Sequence, residues 1–299
     1  MIGKFIALLS LLAFFSVSRA QELTGTLGKI KQSGSITLGH RSYSSPFSFV
    51  GTTGRPLGYA KDLCDGVVRE MKEKLKIPDL SVKYHPVTPE SRIALVRNGT
   101  VDMECGSTSV SFARVEMVSF STPYFVTDIR MLSRVDSKIS SIDDLDRKRV
   151  VTTANTTSAE RISKLLLIGA ENSENPILYF GRNHAESFMM VKTGFAAAFI
   201  MDDVILMNLL SNSKDPKAYT VSEMSFGTER YAVMLRKNDE AMKKFVDEAI
   251  AKMMRSGEAE KIYERWFLRS IPPRDVNLNL PMSAALREIF TQAGENSPQ

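Results

Sequence analysis

Histidine and cysteine, the side chains that most often bind transition metals, are scarce in this chain of 299 residues. The three histidines, His40, His85 and His184, lie far apart without ligand spacing, so we predict no metal site and no cofactor. Cys64 and Cys105 are the only cysteines. In an exported chain they favour a disulfide, and two buried free thiols are the alternative, because free cysteine is among the most buried residue types.

Long apolar runs are missing everywhere except at the N-terminus. There, residues 5–17 are apolar, follow Lys4 and are too few to span a bilayer comfortably. Small residues at Ser18 and Ala20 suit signal-peptidase cleavage. We therefore predict that residues 1–20 are a cleaved signal peptide and that the mature chain is exported to the periplasm. Position 21 is not cysteine, so we predict no lipid anchor.

A clustered charge of one sign is also missing. The formal net charge is +5, but lysine and arginine are scattered among acidic residues, which does not support a nucleic-acid-binding surface. A basic site for acidic small molecules remains compatible with this charge. The roughly 280 residues that remain after cleavage suffice for two ordinary domains.

The segment most suggestive of a binding site is residues 102–109, which read Asp-Met-Glu-Cys-Gly-Ser-Thr-Ser. A short alternating strand ends at Gly106 and is followed by three hydroxyl residues and, five residues later, by Arg114. Backbone N–H groups, short hydroxyl donors and one planar guanidinium can hold a small anion such as a carboxylate. A serine-rich turn beside a surface arginine is the alternative interpretation.

The first part of the chain alternates predicted strands with amphipathic helices, a pattern typical of an α/β fold with parallel strands. Ligands of such sheets bind at the carboxyl ends of the strands. Four polar residues fall at these ends or at the adjacent loop–helix junctions: Arg41, Arg92, Ser107 and Ser109. Their convergence favours the binding site over the serine-rich turn.

The second part repeats this pattern after an extended run at 128–134. Residues 155–158, Asn-Thr-Thr-Ser, cap a helix whose free N–H groups favour an anion, although ordinary capping explains them too. A fully apolar strand at 195–201 ends in Asp202, which can hold an ammonium group or, alternatively, cap a helix. A second extended run follows at 231–235. We therefore predict a two-strand hinge, with lobe 1 at 21–127 plus 229–290, lobe 2 inserted at 128–228, and a flexible tail at 291–299.

Several motifs along the mature chain together resemble the periplasmic amino-acid-binding proteins of ABC transporters. The resemblance is to the glutamate/aspartate branch of the family 3 solute-binding proteins, and it extends from about residue 26 to about residue 290. The motifs are Gly39-His40-Arg41, Pro46-Phe47-Ser48, Arg92-Ile93, Asn98-Gly99-Thr100, Glu104-Cys105-Gly106-Ser107-Thr108, Asn155-Thr156-Thr157-Ser158, Phe199-Ile200-Met201-Asp202-Asp203, Ser256-Gly257-Glu258-Ala259-Glu260-Lys261, Trp266-Phe267 and Ile271-Pro272-Pro273.

The resemblance implies a type II two-lobe fold, each lobe a sheet flanked by helices, that closes on an L-amino acid. It also implies a role for each matching residue. The α-carboxylate is held at Arg114, Ser109 and Thr157, and the α-ammonium at Asp202 and Ser107. The side-chain carboxylate of the ligand is held at Arg41, Arg92 and His184. The chain departs from the family pattern at Pro89, where a serine donor is frequent, and at Ser109, where threonine is usual.

The resulting hypothesis is a monomeric binding protein for L-glutamate or L-aspartate that delivers its ligand to an inner-membrane ABC permease. It is not expected to be an enzyme, because no Ser-His-Asp or metal constellation is present. Two alternatives remain. The first is a ligand-sensing module for a membrane receptor, and the second is a periplasmic dehydratase on the same fold, which needs a general acid or base rather than an ammonium-binding carboxylate.

Overall fold

The computed structural model describes residues 23–168 and 175–295. The predicted signal peptide, residues 1–20, lies outside these ranges. Within them, no helix combines the length and the apolar character that crossing a bilayer requires. Helices and strands alternate along most of the described chain, which is the pattern that the sequence predicts.

The helices start at capping or turn residues that precede segments with apolar periodicity. The Asn183 side chain accepts from the Glu186 N–H at 3.0 Å, and Asp239 accepts from the Met242 N–H at 3.2 Å. In chain order the helices are α1 (Gly25–Ser33), α2 (Tyr59–Lys74), α3 (Arg92–Arg97), α4 (Phe112–Val115), α5 (Thr157–Ile168), α6 (His184–Lys192), α7 (Asp203–Ser211), α8 (Glu240–Arg255), α9 (Glu258–Phe267) and α10 (Ala284–Glu295).

The strands are short, and the most apolar of them are central in their sheets. In chain order they are β1 (Ser35–His40), β2 (Tyr43–Ser44), β3 (Ser48–Val50), β4 (Pro56–Leu57), β5 (Ser81–Pro86), β6 (Met103–Glu104), β7 (Val118–Phe120), β8 (Phe125–Arg134), β9 (Arg149–Thr153), β10 (Ile177–Gly181), β11 (Ala198–Asp202), β12 (Tyr219–Val221), β13 (Gly227–Tyr231), β14 (Met234–Arg236), β15 (Ser270–Ile271) and β16 (Val276–Asn277).

Two main sheets form the two lobes of the type II fold. The first has the strand order β5-β1-β6-β14-β7, and the second has the order β10-β9-β11-β8-β12 with β13 also paired to β8. The prediction of parallel strands is only partly right. Strand β1 is parallel to β5 and β6, but β14 is antiparallel to β6, and β8 is antiparallel to β11. Strands that enter from the connecting segments run against the direction of the βα units.

Strands β8 and β13 connect the two sheets. All of β13 pairs antiparallel with the first half of β8, from Gly227 opposite Ile129 to Tyr231 opposite Phe125 at the end nearer the first sheet. The chain leaves the first sheet after β7 and re-enters it at β14. The predicted lobe boundaries at 127/128 and 228/229 fall inside β8 and β13 and remain predictions.

Aromatic side chains pack tightly where these two strands meet the first lobe. Phe125 and Tyr231 stack with ring centroids 5.9 Å apart, and Phe47 contacts both rings edge-on at 4.7 and 4.9 Å. All three side chains are buried. Edge-to-face and offset pairs add about 0.5–1.5 kcal/mol each beyond area burial, so this cluster fixes the origin of the connecting strands.

The last described element is helix α10, which packs against α8. Residues 291–295 belong to α10 and residues 296–299 lie outside the described ranges, so the flexible tail at 291–299 remains a prediction. Leu286 is buried, and Ile289 and Phe290 pack against the main hydrophobic cluster. This apolar stripe docks α10 onto α8.

A disulfide joins Cys64 in α2 to Cys105, the residue after β6. Both cysteines are buried, and their Cα atoms are 6.3 Å apart across a sequence separation of 41 residues. The bond ties a core helix to the strand that leads into Gly106 and Ser107. No cysteine is left free.

We expect the double substitution Cys64→Ala/Cys105→Ala to lower the free energy of unfolding by about 2–4 kcal/mol, because closing a loop of this length restricts the unfolded chain. Urea unfolding followed by circular dichroism measures the change. The reduced wild-type protein should show a similar loss. A variant within about 0.5 kcal/mol of the oxidised protein would contradict the stabilising role.

Candidate functional site

Three arginines of the first lobe converge in a buried region between the sheets. Arg41 follows β1, Arg92 is the first residue of α3, and Arg114 lies in α4. Their exposed fractions are 2%, 2% and 7%. We call them the site arginines. Because β1 and β6 are parallel, their carboxyl ends meet at one sheet edge, which brings Arg41 to the loop that follows β6.

The site arginines interact electrostatically. Burial, followed by repulsion from Arg92, lowers the pKa of both Arg41 and Arg114 to about 9. Burial also lowers the pKa of Arg92, and the carboxylate of Glu104 partly offsets this effect. The positive charges of three buried arginines that lie close together are therefore not fully compensated by neighbouring carboxylates. A site of this kind favours the binding of an anion.

The guanidiniums of Arg92 and Arg114 donate hydrogen bonds to protein oxygens at the cleft. Arg92 Nη1 donates to the Thr108 hydroxyl at 2.7 Å, and that hydroxyl donates to Glu104 Oε2 at 2.7 Å. Arg114 Nη1 donates to the Ser109 carbonyl at 2.9 Å. These contacts orient the guanidiniums of Arg92 and Arg114 within the first lobe.

Both lobes meet at the backbone carbonyl of Asn155. It accepts from Arg92 Nη2 at 3.4 Å and from Arg114 Nη2 at 3.3 Å. Asn155 has a φ of 58°, a left-handed conformation that asparagine tolerates better than most residues. Beside it, the Thr157 hydroxyl donates to Ser109 Oγ across the cleft at 3.1 Å. The structure is therefore closed around the site.

Asp202 ends β11 and lies at the start of α7, as the apolar strand predicts. It is 1% exposed. Its Oδ1 accepts from Ser158 Oγ at 2.7 Å, and its Oδ2 accepts from the Tyr231 hydroxyl. Burial, reinforced by the nearby charge of Glu229, raises the pKa of Asp202 to about 7 despite these two donors. A cation at this carboxylate would therefore stabilise its charged form.

His184 is the first residue of α6 and is 1% exposed. Its Nδ1 lies 3.0 Å from the Thr153 hydroxyl, and its Nε2 is buried with no hydrogen-bond partner within the described ranges. Burial, and then the charges of Arg41 and Arg92, hold the pKa of His184 well below its usual value. The imidazole is therefore neutral.

The predicted site residues are all buried, and most of them are linked by contact or by charge. The pairs Arg114–Ser109 and Ser109–Thr157 are hydrogen-bonded directly or through the backbone, whereas His184 and Asp202 act on the site arginines electrostatically. Ser107 lies in the same loop and is buried, but within the described ranges no side-chain hydrogen bond joins it to the others. Their roles in ligand binding remain predictions.

Sequence reasoning missed three groups that complete the site: the Glu104 carboxylate, the Asn155 carbonyl and the Tyr231 hydroxyl. The signal for Glu104 was present, because a cluster of predicted buried arginines requires a nearby acid. A backbone carbonyl leaves no side-chain signal. Tyr231 comes from the returning strand, which sequence spacing does not place beside Asp202.

Gly106 is required by close packing in the loop that follows β6. A Cβ at this position would lie 2.4 Å from Glu104 Oε1 and 2.9 Å from Arg41 Cγ. The Gly106 carbonyl also accepts from the buried Tyr124 hydroxyl. The bare backbone therefore lets the loop pass between a site arginine and its compensating acid.

Comparisons with protein families and with individual proteins agree on the same family. The family described as bacterial extracellular solute-binding proteins, family 3, matches residues 36–269. An L-glutamate/L-aspartate-binding protein of Pseudomonas aeruginosa is 45% identical over 281 residues, covering 94% of this chain and 92% of the relative. A glutamate/aspartate import solute-binding protein of Escherichia coli K12 is 36% identical, covering 91% and 89%.

Among solved structures, an ancestral amino-acid-binding protein described as a precursor of cyclohexadienyl dehydratase is similar. Its TM-score is 0.70 at 25% identity, and the match covers 81% of this chain and 99% of that one. This similarity extends over both lobes, which supports the fold described above.

We expect Glu104→Gln to lower the free energy of unfolding by about 2 kcal/mol, because the buried site arginines lose a compensating charge. Urea unfolding of the ligand-free protein measures this. Glu90→Gln, at an exposed position that precedes α3, is the matched control and should change stability by less than about 0.5 kcal/mol. Equal stabilities of the two variants would contradict the role of Glu104.

Proposed function

Because the chain belongs to family 3 of the bacterial extracellular solute-binding proteins, we propose that it captures an acidic L-amino acid, glutamate or aspartate, and delivers it to an ABC permease in the inner membrane. The observation that carries the proposal is the buried cluster of site arginines facing one buried aspartate and one neutral histidine. This set of groups complements two carboxylates and one ammonium.

The α-carboxylate of the ligand is assigned to Arg114, Ser109 and Thr157. Arg114 offers a planar guanidinium, and the Thr157 hydroxyl lies at the N-terminus of α5, where backbone N–H groups favour an anion. The α-ammonium is assigned to Asp202 with help from Ser107. The Asp202 carboxylate already accepts two hydrogen bonds, which hold it in a fixed orientation toward the cation.

The side-chain carboxylate of the ligand is assigned to Arg41, Arg92 and His184. The charges of both arginines act on His184, so the three groups are close enough to interact electrostatically. Glutamine would leave these arginines desolvated without a counter-charge, which costs more than a missing contact. This charge requirement supports an acidic ligand over a neutral one.

Closure about the hinge is proposed because the residues that contact each other at the site come from different lobes. The site arginines and Ser109 belong to the first lobe, whereas Asn155, Thr157 and Asp202 belong to the second. Opening at β8 and β13 would separate these groups and hydrate the arginines. A ligand that bridges them would stabilise the closed form, which the permease then recognises.

We further propose that the protein is not an enzyme, that it is monomeric, and that it works in the periplasm after removal of residues 1–20. The similar proteins of Pseudomonas aeruginosa and Escherichia coli are named as binding proteins. The rival activity is a dehydratase, favoured by one observation: the pKa of Asp202, near 7, suits a general acid or base. Against it, Asp202 is positioned by two donors as a fixed acceptor. A sensing module with the same site remains the other alternative.

A thermal-unfolding screen of the mature protein with L-glutamate, L-aspartate, L-glutamine, L-arginine and prephenate tests this function. A ligand at a hundred times its dissociation constant should add about 2.7 kcal/mol of stability. We expect this with glutamate or aspartate and a smaller effect with glutamine. Arg92→Ala should abolish the ligand-induced shift, because it removes a site arginine.

Arg97→Ala, at the exposed end of the same helix, is the matched control and should keep the full shift. Absence of a shift with either acid, together with stabilisation and turnover of prephenate, would overturn the binding function in favour of the enzyme. Stabilisation by glutamine alone would overturn the assignment of the side-chain subsite.

Ligand affinity should fall on acidification from pH 8 to pH 6. In the ligand-free protein the pKa of Asp202 is raised to about 7, and the ligand ammonium requires the carboxylate form. Binding is therefore fully favoured above this pKa and weakens as pH falls through it, by up to about tenfold over this range. His184 stays neutral throughout, because its pKa lies well below the normal value.

Calorimetric titration with L-glutamate at pH 6, 7 and 8 measures this dependence. Asp202→Asn should bind more weakly and lose the dependence, whereas Asp136→Asn, at an exposed surface position, should retain it. A wild-type dissociation constant that stays constant over this range would contradict the assignment of the ammonium to Asp202.

A further inference from the structure

The imidazole of His184 is connected to a pair of hydroxyls that the proposed ligand set does not include. Thr153 Oγ1 lies 3.0 Å from His184 Nδ1 and 3.0 Å from Ser187 Oγ. Thr153 and Ser187 are both fully buried. On the other side of the ring, Nε2 is buried and has no partner among the described residues.

This chain of hydroxyls can run in two directions, because each hydroxyl has one proton to donate. In the first, Nδ1–H donates to Thr153, Thr153 donates to Ser187, and Ser187 donates to the Asn183 carbonyl at 3.1 Å. Nε2 then presents a lone pair. In the second, Ser187 donates to Thr153 and Thr153 donates to Nδ1, so that Nε2 carries the proton.

The second direction leaves no buried carbonyl without a donor. The Asn183 carbonyl already accepts from the Ser187 backbone N–H at 3.0 Å, so it remains satisfied when the hydroxyl turns away. Both directions therefore keep Nδ1 and each of the oxygens named above paired. Such a chain can reverse at little cost within the protein, and the group that faces Nε2 decides its direction.

The packing at Gly181 makes this arrangement specific. A Cβ at position 181 would lie 2.3 Å from Ser187 Oγ and 2.8 Å from the Ser187 nitrogen. Only glycine allows the end of β10 to approach the first turn of α6 this closely. Ser187 is thereby held beside Thr153 at the end of β9.

The charges around Nε2 differ between the empty and the occupied site. In the empty site the charges of Arg41 and Arg92 act on the His184 ring, and two cations favour a lone pair at the unpartnered Nε2 over an N–H. A bound carboxylate reverses this preference, because it accepts a hydrogen bond and neutralises the cations.

We propose that Thr153 and Ser187 are positioning residues that let His184 exchange tautomers, from Nδ1–H in the empty site to Nε2–H when the side-chain carboxylate of the ligand binds. This inference rests on the proposed function, since it requires an acidic ligand. It explains why a histidine beside two arginines is neutral and yet serves as a donor to the ligand.

Nitrogen-15 NMR of histidine-labelled protein, with and without saturating L-glutamate, tests the proposal directly. The chain has three histidines, and the spectrum of His184→Gln identifies the resonances of this ring. We expect the Nδ1–H pattern without ligand and the Nε2–H pattern with it. The same tautomer in both states would overturn the proposal.

Thr153→Val and Thr153→Ser form the matched pair of variants. Valine removes the hydroxyl at nearly constant volume, so the reversal should disappear and glutamate binding should weaken about tenfold, whereas serine should retain both. Identical tautomer behaviour of the two variants would overturn the role of Thr153. Calorimetry with L-glutamate and L-aspartate separates the two hypotheses: binding without a tautomer change overturns this inference alone, and absence of binding of both acids overturns the proposed function and this inference with it.

Discussion

The structure depends on the burial of three guanidinium charges at one cleft. Desolvation and mutual repulsion disfavour this placement, so the surrounding residues supply compensation from several elements: a carboxylate reached through a hydroxyl, backbone carbonyls of both lobes, and Asp202 at the far side. The compensation is incomplete, because the pKa values of two of these arginines are still lowered to about 9. The three arginines of the closed site therefore remain short of negative charge, which the ligand carboxylates would supply under the proposed function.

The fold tolerates these buried charges because the apolar core and the charged site residues occupy different parts of each lobe. Aromatic and aliphatic side chains fill the sheets and the start of the connecting strands, whereas Arg41, Arg92 and Asp202 lie at a strand end or a helix start. The disulfide and Gly106 fix the loop after β6, so the residues of this loop that are proposed to bind the ligand are held in place. Because the first lobe is rigid, its binding groups are already in position when the second lobe closes over the ligand.

The sequence predicts those parts of the site that follow strand periodicity. The apolar run before Asp202 and the polar residues after β1 and β6 lead directly to the cleft, since strand ends of parallel units share one edge. What escapes prediction depends on tertiary contact. The Asn155 carbonyl acts through its backbone, and the position of α10 comes from packing against α8 rather than from local propensity. The antiparallel entry of β8 and β14 likewise follows from the path between lobes, which no local pattern encodes.

Tyr231 connects recognition to the movement of the lobes. Its backbone forms a bridge with Ser109 of the first lobe, its ring stacks on Phe125 where the connecting strands begin, and its hydroxyl donates to Asp202 of the second lobe. A rotation that changes the relation of these strands must therefore alter either the stacking or the donor to the aspartate. Loss of that donor would raise the pKa of Asp202 further and weaken its charged form. The Asp202 carboxylate, which is assigned to the ligand ammonium, therefore has both of its donors only when the connecting strands have their closed arrangement. Ligand binding and lobe closure are thus coupled in one equilibrium.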